Sequence, residues 1–178
     1  KQDDAVILLG SDDLNDPIKG IKLAFDAVLK LVNSGLNIKV ITFGRGSKKT
    51  GFQDKDYFIT LGEIKDDNYL REIYSIADVF VLPSLQENYS NSLVESLACG
   101  TPVTGFNIGG NFELIRDGIT GYIAKEITSE SLSDVTQKVI LKADKTSLRE
   151  KCLNFSQNTH NSKLIGTKYL NLAKRFLS

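Results

Sequence analysis

Short apolar runs rich in β-branched residues alternate along the chain with stretches in which apolar side chains recur at helical spacing. The runs predict six strands, at residues 5–10, 38–43, 57–61, 78–83, 101–105 and 121–124. The other stretches predict helices at residues 18–32, 67–75, 91–99 and 111–116, and the last 50 residues are predicted to be all-helical. This alternation is typical of an α/β domain, in which a parallel sheet carries helices on both faces.

The handedness of β-α-β connections limits how these six strands can be ordered. Such connections are right-handed in nearly all cases, which favours the doubly wound, Rossmann-like order 3-2-1-4-5-6. Strands one and four are then neighbours, so the loops that follow them, at 11–20 and from residue 84, leave the same edge of the sheet. Doubly wound sheets bind ligands in the crevice between such loops, and we expect the functional site there.

Composition and charge narrow the class of protein. The chain has 178 residues, of which 41% are hydrophobic, and this is enough for one compact domain. Lysine plus arginine and aspartate plus glutamate both total 22, so there is no general electrostatic reason to bind nucleic acid. No apolar stretch reaches the roughly 20 residues of a membrane span, and a cytoplasmic protein is expected. Cys99 and Cys152 lack metal-ligand spacing and are predicted to be free, buried thiols.

A group of short polar residues follows the fourth predicted strand. Ser90, Asn91 and Ser92 precede a predicted helix, and the free backbone N–H groups of a helix start suit a phosphate. Ser92 and Glu95 also match an S-x-x-E capping box, in which both side chains would cap that helix.

The loop on the other wall of the crevice ends with Lys19 and Gly20. Lys19 could bring a mobile positive charge to a diphosphate, with Gly20 leaving space beside it, or it could be an ordinary solvated lysine. Gly44 and Gly46 follow the second strand, but their spacing is not the dinucleotide-binding fingerprint. These features alone predict a phosphorylated ligand and name no reaction.

Longer motifs occur in a fixed order along the chain. They are Lys19-Gly20, ADVFVLPS, the pair Glu87 and Glu95, ESLACGTPV, Gly109-Gly110 followed by Glu113, and DGITGYI. With these motifs in this order, the sequence resembles the carboxyl-terminal donor-binding domain of retaining glycosyltransferases, in the family named glycosyl transferases group 1. The resemblance extends from residue 6 to about residue 177 and implies one half of a GT-B fold, with a helical carboxyl terminus.

The resemblance implies that residues 1–178 form a nucleotide-sugar donor-binding domain. In this family an amino-terminal domain binds the acceptor and closes the cleft, and we expect that this domain is absent from the chain. The sequence does not begin with methionine, which fits a piece excised from a longer enzyme. The chain alone is therefore expected to bind donor weakly and to be nearly inactive.

The resemblance also assigns roles to individual residues. Glu87 would face the donor sugar, and Glu95 would accept hydrogen bonds from the ribose, because an ionised carboxylate is a strong acceptor for neighbouring hydroxyls. Lys19 and the N–H groups of Asn91 and Ser92 would hold the diphosphate, so that no metal and no other cofactor is expected. Glu87 and Lys19 are the expected catalytic residues.

Further site residues are expected around this centre. The base would lie near residues 61–64, including Ile64, and would be bound mainly by backbone groups. Gly109 and Gly110 would let their loop approach the sugar, and the small side chain of Ser90 would let the ligand approach the backbone.

The sequence departs from the family pattern at two places. Relatives commonly carry an arginine roughly where this chain has Asp12 or Asp13, and two acids there would repel a diphosphate. Arg45 could compensate from the next loop. Residues 88–90, Asn-Tyr-Ser, replace the commoner Gly-Phe-Gly.

The implied reaction moves a sugar from a nucleoside diphosphate sugar to a glycan or lipid-linked acceptor, as in polysaccharide biosynthesis. The full-length enzyme would be cytoplasmic and peripheral at the inner face of the membrane. One alternative is a nucleotide-sugar epimerase of the same architecture, which would need acid and base residues around the sugar carbon. Another is a non-enzymatic sensor of a phosphorylated ligand.

Several residues near the carboxyl terminus have simpler interpretations. His160 is predicted to be a solvated surface histidine, and residues 148–151, LREK, a solvated helix face. Glu113 would stabilise a helix start or support the donor loop. The final helix carries a broad apolar stripe that is expected to reach the missing domain, formed by Leu164, Ile165, Tyr169, Leu172, Ala173, Phe176 and Leu177.

Overall fold

A six-stranded parallel sheet forms the centre of the protein, in a computed structural model that describes residues 4–47, 55–142 and 144–177. The strands are β1 (Ala5–Asp13), β2 (Ile38–Arg45), β3 (Phe58–Gly62), β4 (Val79–Leu82), β5 (Val103–Phe106) and β6 (Gly121–Ala124). They lie in the order β3-β2-β1-β4-β5-β6. This confirms the doubly wound order predicted from the sequence.

Seven α-helices in the described part of the chain connect and follow the strands. They are α1 (Ile21–Asn33), α2 (Asp67–Ile76), α3 (Asn91–Ala98), α4 (Asn111–Leu114), α5 (Ser129–Lys142), α6 (Lys145–His160) and α7 (Ser162–Leu177). The first helix begins later than predicted, because Gly20, at a φ of 61°, separates a 3₁₀ turn at Pro17–Lys19 from α1. The predicted helical carboxyl terminus is confirmed.

Both faces of the sheet are buried. Ile7 and Leu9 point to one face, where they belong to a core cluster with residues of α1 and α5. Leu8, between them, points to the other face and packs in a second cluster with residues of α2, α3 and α6. Because helices cover both faces, the edge at the carboxyl ends of the strands is where the loops can form a ligand site.

Arg149 of α6 joins the ends of two other helices. Its guanidinium donates hydrogen bonds to the backbone carbonyls of Ser75, Ala77 and Cys99, the last two at 2.9 and 3.5 Å. Ala77 and Cys99 are the residues at which α2 and α3 end, so a positive charge lies where both helix dipoles are negative. Arg149 therefore fixes α6 to the carboxyl ends of α2 and α3.

The prediction that residues 148–151 form a solvated helix face is wrong for Leu148 and Arg149 and holds for Glu150 and Lys151, which are exposed. Leu148 is buried in the core, and Arg149 is half-buried by the contacts just described. Lys151 donates a hydrogen bond to the backbone oxygen of Gly118 at 3.1 Å. The acceptors lie in segments distant in the sequence, which is why the local charge pattern did not reveal them.

The two cysteines are free, as predicted. Cys152 is buried and Cys99 is only half-buried, so the prediction of burial holds fully for Cys152 alone. Burial raises the pKa of the Cys152 thiol to about 12, which keeps it protonated and unreactive near neutral pH.

The terminal helix α7 leaves most of its apolar side chains exposed. Exposed fractions lie between 38% and 82% for Leu164, Tyr169, Leu170, Leu172 and Phe176. Within the described ranges, no helix is both long and apolar enough to cross a membrane. The helix α7 contacts the rest of the domain mainly through α6, and its apolar side chains therefore form an exposed surface.

We predict that Arg149→Met lowers the free energy of unfolding by about 2 to 3 kcal/mol, because three backbone carbonyls lose a charged donor. Urea denaturation followed by circular dichroism would measure the change. Arg175→Met, on the exposed side of α7, is the matched control and should change stability by less than about 0.5 kcal/mol. Equal losses of unfolding free energy in the two variants would contradict the role of Arg149 in fixing α6 to α2 and α3.

Candidate functional site

A cleft of about 480 Å³ opens at the carboxyl edge of the sheet, where the loops after β1 and β4 meet. Its walls come from the end of β1, the end of β2, the segment after β3, the helix α2, and the β4–α3 loop (residues 83–90) with the first turns of α3. The lining residues are Ser11, Asp12, Lys19, Phe43, Gly44, Arg45, Glu63, Ile64, Leu70, Tyr74, Glu87, Tyr89, Ser90, Asn91, Ser92 and Glu95.

Most of the residues predicted from the sequence lie together in this cleft. Those that line it are Lys19, Arg45, Ile64, Glu87, Ser90, Asn91, Ser92 and Glu95. The three predicted glycines, Gly20, Gly109 and Gly110, do not belong to the lining. These eight residues come from four separate segments of the sequence, at positions 19, 45, 64 and 87–95.

The glycines instead let backbone segments pack against the β4–α3 loop. Gly20 and Gly109 have φ angles of 61° and 54°, and a Cβ at either position would collide with the backbone oxygen of Pro83 or of Glu87, respectively. Gly110 donates its N–H to the oxygen of Asn88 at 2.9 Å. These glycines position the loop that carries Glu87. The expected space beside Lys19 at Gly20, and the approach of the Gly109–Gly110 loop to the sugar, stay predictions.

Lys19 and Glu87 form an ion pair across the cleft. Nζ of Lys19 lies 3.4 Å from Oε2 of Glu87, and the two side chains are 26% and 14% exposed. Lys19 is thus more than an ordinary solvated lysine, since it contacts the loop on the opposite wall. The pair joins the loops after β1 and β4 by opposite charges that a ligand can still reach.

The start of α3 differs from the predicted capping box. Ser90 is the capping residue, with extended φ and ψ of −77° and 117°, and its Oγ accepts the N–H of Leu93 at 3.4 Å. The predicted box of Ser92 and Glu95 is therefore wrong, because the loop turns into the helix two residues earlier. At a helix start, the N–H groups of Asn91 and Ser92 have no partners within the helix and remain available.

Glu95 bonds instead to a buried tyrosine of α2. The hydroxyl of Tyr74 donates to Oε2 of Glu95 at 3.2 Å. Tyr74 is 1% exposed and is held by edge-to-face contacts with Phe43 and Phe80, whose ring centroids lie 5.7 and 5.5 Å away. Sequence analysis missed Tyr74 because its spacing in α2 is that of an ordinary core residue.

The environment of Tyr74 disfavours its ionised form. Burial, and secondly the negative charge of Glu95, raise the pKa of Tyr74 well above its ordinary value of 10.0. The hydroxyl therefore stays protonated and serves as a donor that orients the exposed carboxylate of Glu95 into the cleft.

The two acids after β1 have different surroundings. Asp13 accepts hydrogen bonds from the backbone and side chain of Asn15, at 2.9 and 3.0 Å, and the backbone bond chiefly lowers the pKa of Asp13. Asp12 lines the cleft, and its backbone oxygen accepts the Nε–H of Arg45 at 3.2 Å. Arg45 thus lies beside Asp12 at the cleft, through a bond to the Asp12 backbone, and its role as a compensating charge for a diphosphate stays a prediction.

Tyr89 and His160 connect the β4–α3 loop to the end of α6. Tyr89 lines the cleft, and its hydroxyl is hydrogen-bonded to Nε2 of His160. His160 is half-buried, and burial lowers its pKa. The prediction of a solvated histidine is therefore wrong. Glu113, in the first turn of α4, is exposed and its charge contributes to raising the pKa of Tyr89, after burial.

Histidine, cysteine, aspartate and glutamate are the side chains to consider for a metal site. Among residues 4–47, 55–142 and 144–177, no group of three or more of them is arranged to hold a metal ion. The chemistry that the cleft offers is that of carboxylates, one lysine, one arginine and the backbone N–H groups of a helix start.

Comparison with known proteins gives one family. Residues 4–141 match the family model described as "Glycosyl transferases group 1". A protein of Salmonella typhimurium named lipopolysaccharide 1,2-N-acetylglucosaminetransferase is 28% identical over 193 residues, which cover 98% of this chain and 48% of that protein.

Two solved structures show the same fold. Sucrose-phosphate synthase from Thermosynechococcus elongatus matches with a TM-score of 0.81 and 21% identity, over 98% of this chain and 46% of that chain. Anabaena HepE in complex with UDP-glucose matches with a TM-score of 0.79 and 20% identity, over 97% of this chain and 49% of that chain. The chain thus spans about half the length of each relative, and the Rossmann-like fold of the GT-B type is confirmed.

We predict that the cost of Tyr74→Phe shrinks at alkaline pH. The raised pKa means that folded Tyr74 holds its proton more tightly than unfolded Tyr74, so its contribution is complete below pH 10 and is lost as the pH rises above 10. At pH 8 the free energy of unfolding of the variant should be lower than that of wild type by about 1 kcal/mol, the value of one hydrogen bond. Above pH 10 this difference in free energy should fall by about 1.4 kcal/mol per pH unit.

Urea denaturation between pH 8 and 11, with a thiol reductant, would measure this difference. Tyr169→Phe, which removes a hydroxyl that is 71% exposed on α7, is the control and should show no such trend. A constant difference between wild type and Tyr74→Phe over this range would exclude a buried, charge-coupled phenol.

Proposed function

Because the chain belongs to the glycosyl transferases group 1 family, we propose that it is the donor-binding part of a retaining glycosyltransferase. The donor is a nucleoside diphosphate sugar, and the acceptor is a glycan or a lipid-linked glycan of a polysaccharide pathway. The name of the Salmonella relative supports a glycan acceptor, and the UDP-glucose in the HepE structure supports a nucleotide-sugar donor. The family match favours this reaction over an epimerase or a ligand sensor.

The observation that carries the proposal is the meeting of three kinds of group in one cleft. A cation, Lys19, faces a carboxylate, Glu87, and both lie beside the start of α3 with its available N–H groups. A sugar diphosphate presents hydroxyls, two phosphates and a leaving oxygen, and each of these has a chemical counterpart here.

In the proposed binding mode, the nucleotide extends along the cleft from β3 towards β4. The base lies against Ile64, the ribose hydroxyls donate to the carboxylate of Glu95, and the diphosphate lies on the N–H groups of Asn91 and Ser92. Tyr74 supports this mode, because its hydroxyl already fixes one oxygen of Glu95 and leaves the other free for the ribose.

The chemical step that we propose breaks the bond between the sugar carbon and the diphosphate oxygen and forms a bond from that carbon to an acceptor hydroxyl oxygen, whose proton passes to the leaving diphosphate. Negative charge then accumulates on the leaving diphosphate, where the dipole of α3 and the ammonium of Lys19 stabilise it without a metal. Glu87 orients the sugar by accepting hydrogen bonds from its hydroxyls. When the donor binds, the ion pair of Lys19 and Glu87 must therefore break, so that the ammonium of Lys19 contacts the phosphate and the carboxylate of Glu87 contacts the sugar.

The acceptor site lies on a second, amino-terminal domain in this proposal, with residues 1–178 as the donor domain. That the chain spans about half of each relative's length supports two halves. The exposed apolar surface of α7 supports a contact with the missing half. We propose that the assembled enzyme acts in the cytoplasm, peripherally at the inner membrane face where lipid-linked glycans are carried.

Calorimetric titration with uridine, guanosine and adenosine diphosphates and their glucose conjugates tests the proposed function. We expect the diphosphate of one base to bind best. Glu95→Gln should weaken the binding of that diphosphate by about 1 to 2 kcal/mol, because a neutral amide accepts weaker hydrogen bonds from the ribose. The folded state should change little, since Gln can still accept the hydroxyl of Tyr74.

Glu130→Gln is the matched control, because Glu130 lies on α5 and pairs with Lys30 on the far side of the sheet from α3. It should leave nucleotide affinity unchanged. If no diphosphate binds, the proposed function fails. If a diphosphate binds equally well to wild type and Glu95→Gln, the ribose contact is wrong.

We predict that the isolated chain self-associates through α7, and that the amino-terminal half of the parent enzyme suppresses this. Sedimentation velocity would measure the association. Leu172→Ser and Phe176→Ser, in the apolar stripe, should reduce it, whereas Lys174→Ser, on the polar side of α7, should not. A monodisperse monomer whose α7 amides are strongly protected from hydrogen exchange would count against a missing partner domain at this helix.

A further inference from the structure

We infer that His160 is a positioning residue for the β4–α3 loop, which it fixes through its hydrogen bond with Tyr89. The inference rests on the proposed function, because that loop carries Glu87 and leads into the start of α3. It concerns a contact between residues 71 positions apart in the sequence.

The contact joins a loop to the end of a well-packed helix. Tyr89 is 49% exposed, and its ring centroid lies 5.9 Å from that of His160, the last residue of α6. The His160 ring also lies 6.2 Å from the ring of Phe155, over which the guanidinium of Arg116 lies at 4.8 Å. The imidazole is therefore placed between α6 and the cleft, with neighbours on both sides.

The hydrogen bonds around His160 define the direction of its bond with Tyr89. Thr159 has one hydroxyl hydrogen, which it donates to the backbone oxygen of Phe155 at 2.6 Å. Its Oγ1 must then accept the Nδ1–H of His160, at 2.8 Å. In neutral His160 this leaves Nε2 with a free lone pair, which accepts the hydroxyl of Tyr89.

The helix that carries His160 is rigid enough to serve as an anchor. Leu148, Cys152, Phe155 and Ser156 are buried along one side of α6, and Arg149 ties its first half to α2 and α3. Because α6 is held in place, a side chain that forms a hydrogen bond with its last residue is held in place as well.

Near Glu87 the loop is also held by the ion pair with Lys19, by the packing of Gly109 and by two backbone hydrogen bonds. Leu85 donates its N–H to the oxygen of Ile18 at 2.7 Å, and the oxygen of Asn88 accepts the N–H of Gly110. Tyr89 lies directly between Asn88 and the capping residue Ser90. The bond with His160 therefore fixes the backbone that joins the proposed sugar contact to the proposed phosphate site.

Four variants test the contact. Tyr89→Phe removes only the hydroxyl, and His160→Ala removes the acceptor. His160→Gln keeps an acceptor, because its amide oxygen can take the place of Nε2 and restore the bond. Gln157→Ala, at an exposed position one turn earlier on α6, is the matched control.

The first measurement is hydrogen exchange of the ligand-free chain. The amides of residues 87–92 should exchange about fivefold faster in Tyr89→Phe and in His160→Ala, and should stay within about twofold of wild type in His160→Gln and Gln157→Ala. A merely structural role of His160 would speed exchange in α6 instead. Unchanged exchange at residues 87–92 in both disrupted variants, or equal acceleration in His160→Gln, would overturn the inference.

The second measurement is titration with UDP and UDP-glucose. We expect the dissociation constants to rise about fivefold in each disrupted variant, with no further rise in the double variant, since both changes remove one bond. If the wild-type chain prefers the diphosphate of another base, that ligand replaces UDP in this titration. If it binds no diphosphate of the three bases, the proposed function fails, and the exchange experiment still decides the contact. If the wild type binds and the double variant loses the product of the two single effects, the two residues act separately and the inference fails.

Discussion

The parallel pairing of β1 with β4 is the constraint on which the site depends. Ile7 pairs with Val79 and Leu8 with Phe80, and the N–H of Val6 is bonded to the carboxylate of Asp78 at 2.8 Å. Because the two strands run in the same direction, the loops that follow them must leave at the same edge and diverge there. Lys19 and Glu87, which are 68 positions apart in the sequence, can meet because of this pairing.

The binding of an anionic ligand in the cleft depends on where the individual charged groups lie, and not on the total charge of the cleft. Its lining contains two cations, Lys19 and Arg45, but four acids, Asp12, Glu63, Glu87 and Glu95. An anionic ligand is therefore not attracted by the cleft as a whole. It can bind only where a cation and the start of a helix lie together, with its polar hydroxyls directed to the acids.

The sequence predicted the sheet well because buried parallel strands are short apolar runs, and handedness leaves few ways to order them. It also predicted most of the cleft residues, since these lie either in the loop after β1 or in the segment that runs from the β4–α3 loop into α3. It could not predict Tyr74, Arg149 or the partner of His160, because each acts through atoms that come close only in the folded chain. The cap at Ser90 was missed because two serines, both followed by plausible first turns, compete for that position.

The β4–α3 loop passes between two glycines from different parts of the chain. The oxygen of Pro83 lies against Gly20 and the oxygen of Glu87 against Gly109, at distances that leave no room for a Cβ. The path of the loop backbone therefore cannot widen unless α1 or α4 moves away from the sheet. A longer loop would therefore have to bulge into solvent, whereas exchange of an exposed side chain such as that of Gln86 or Asn88 leaves the path of the backbone unchanged.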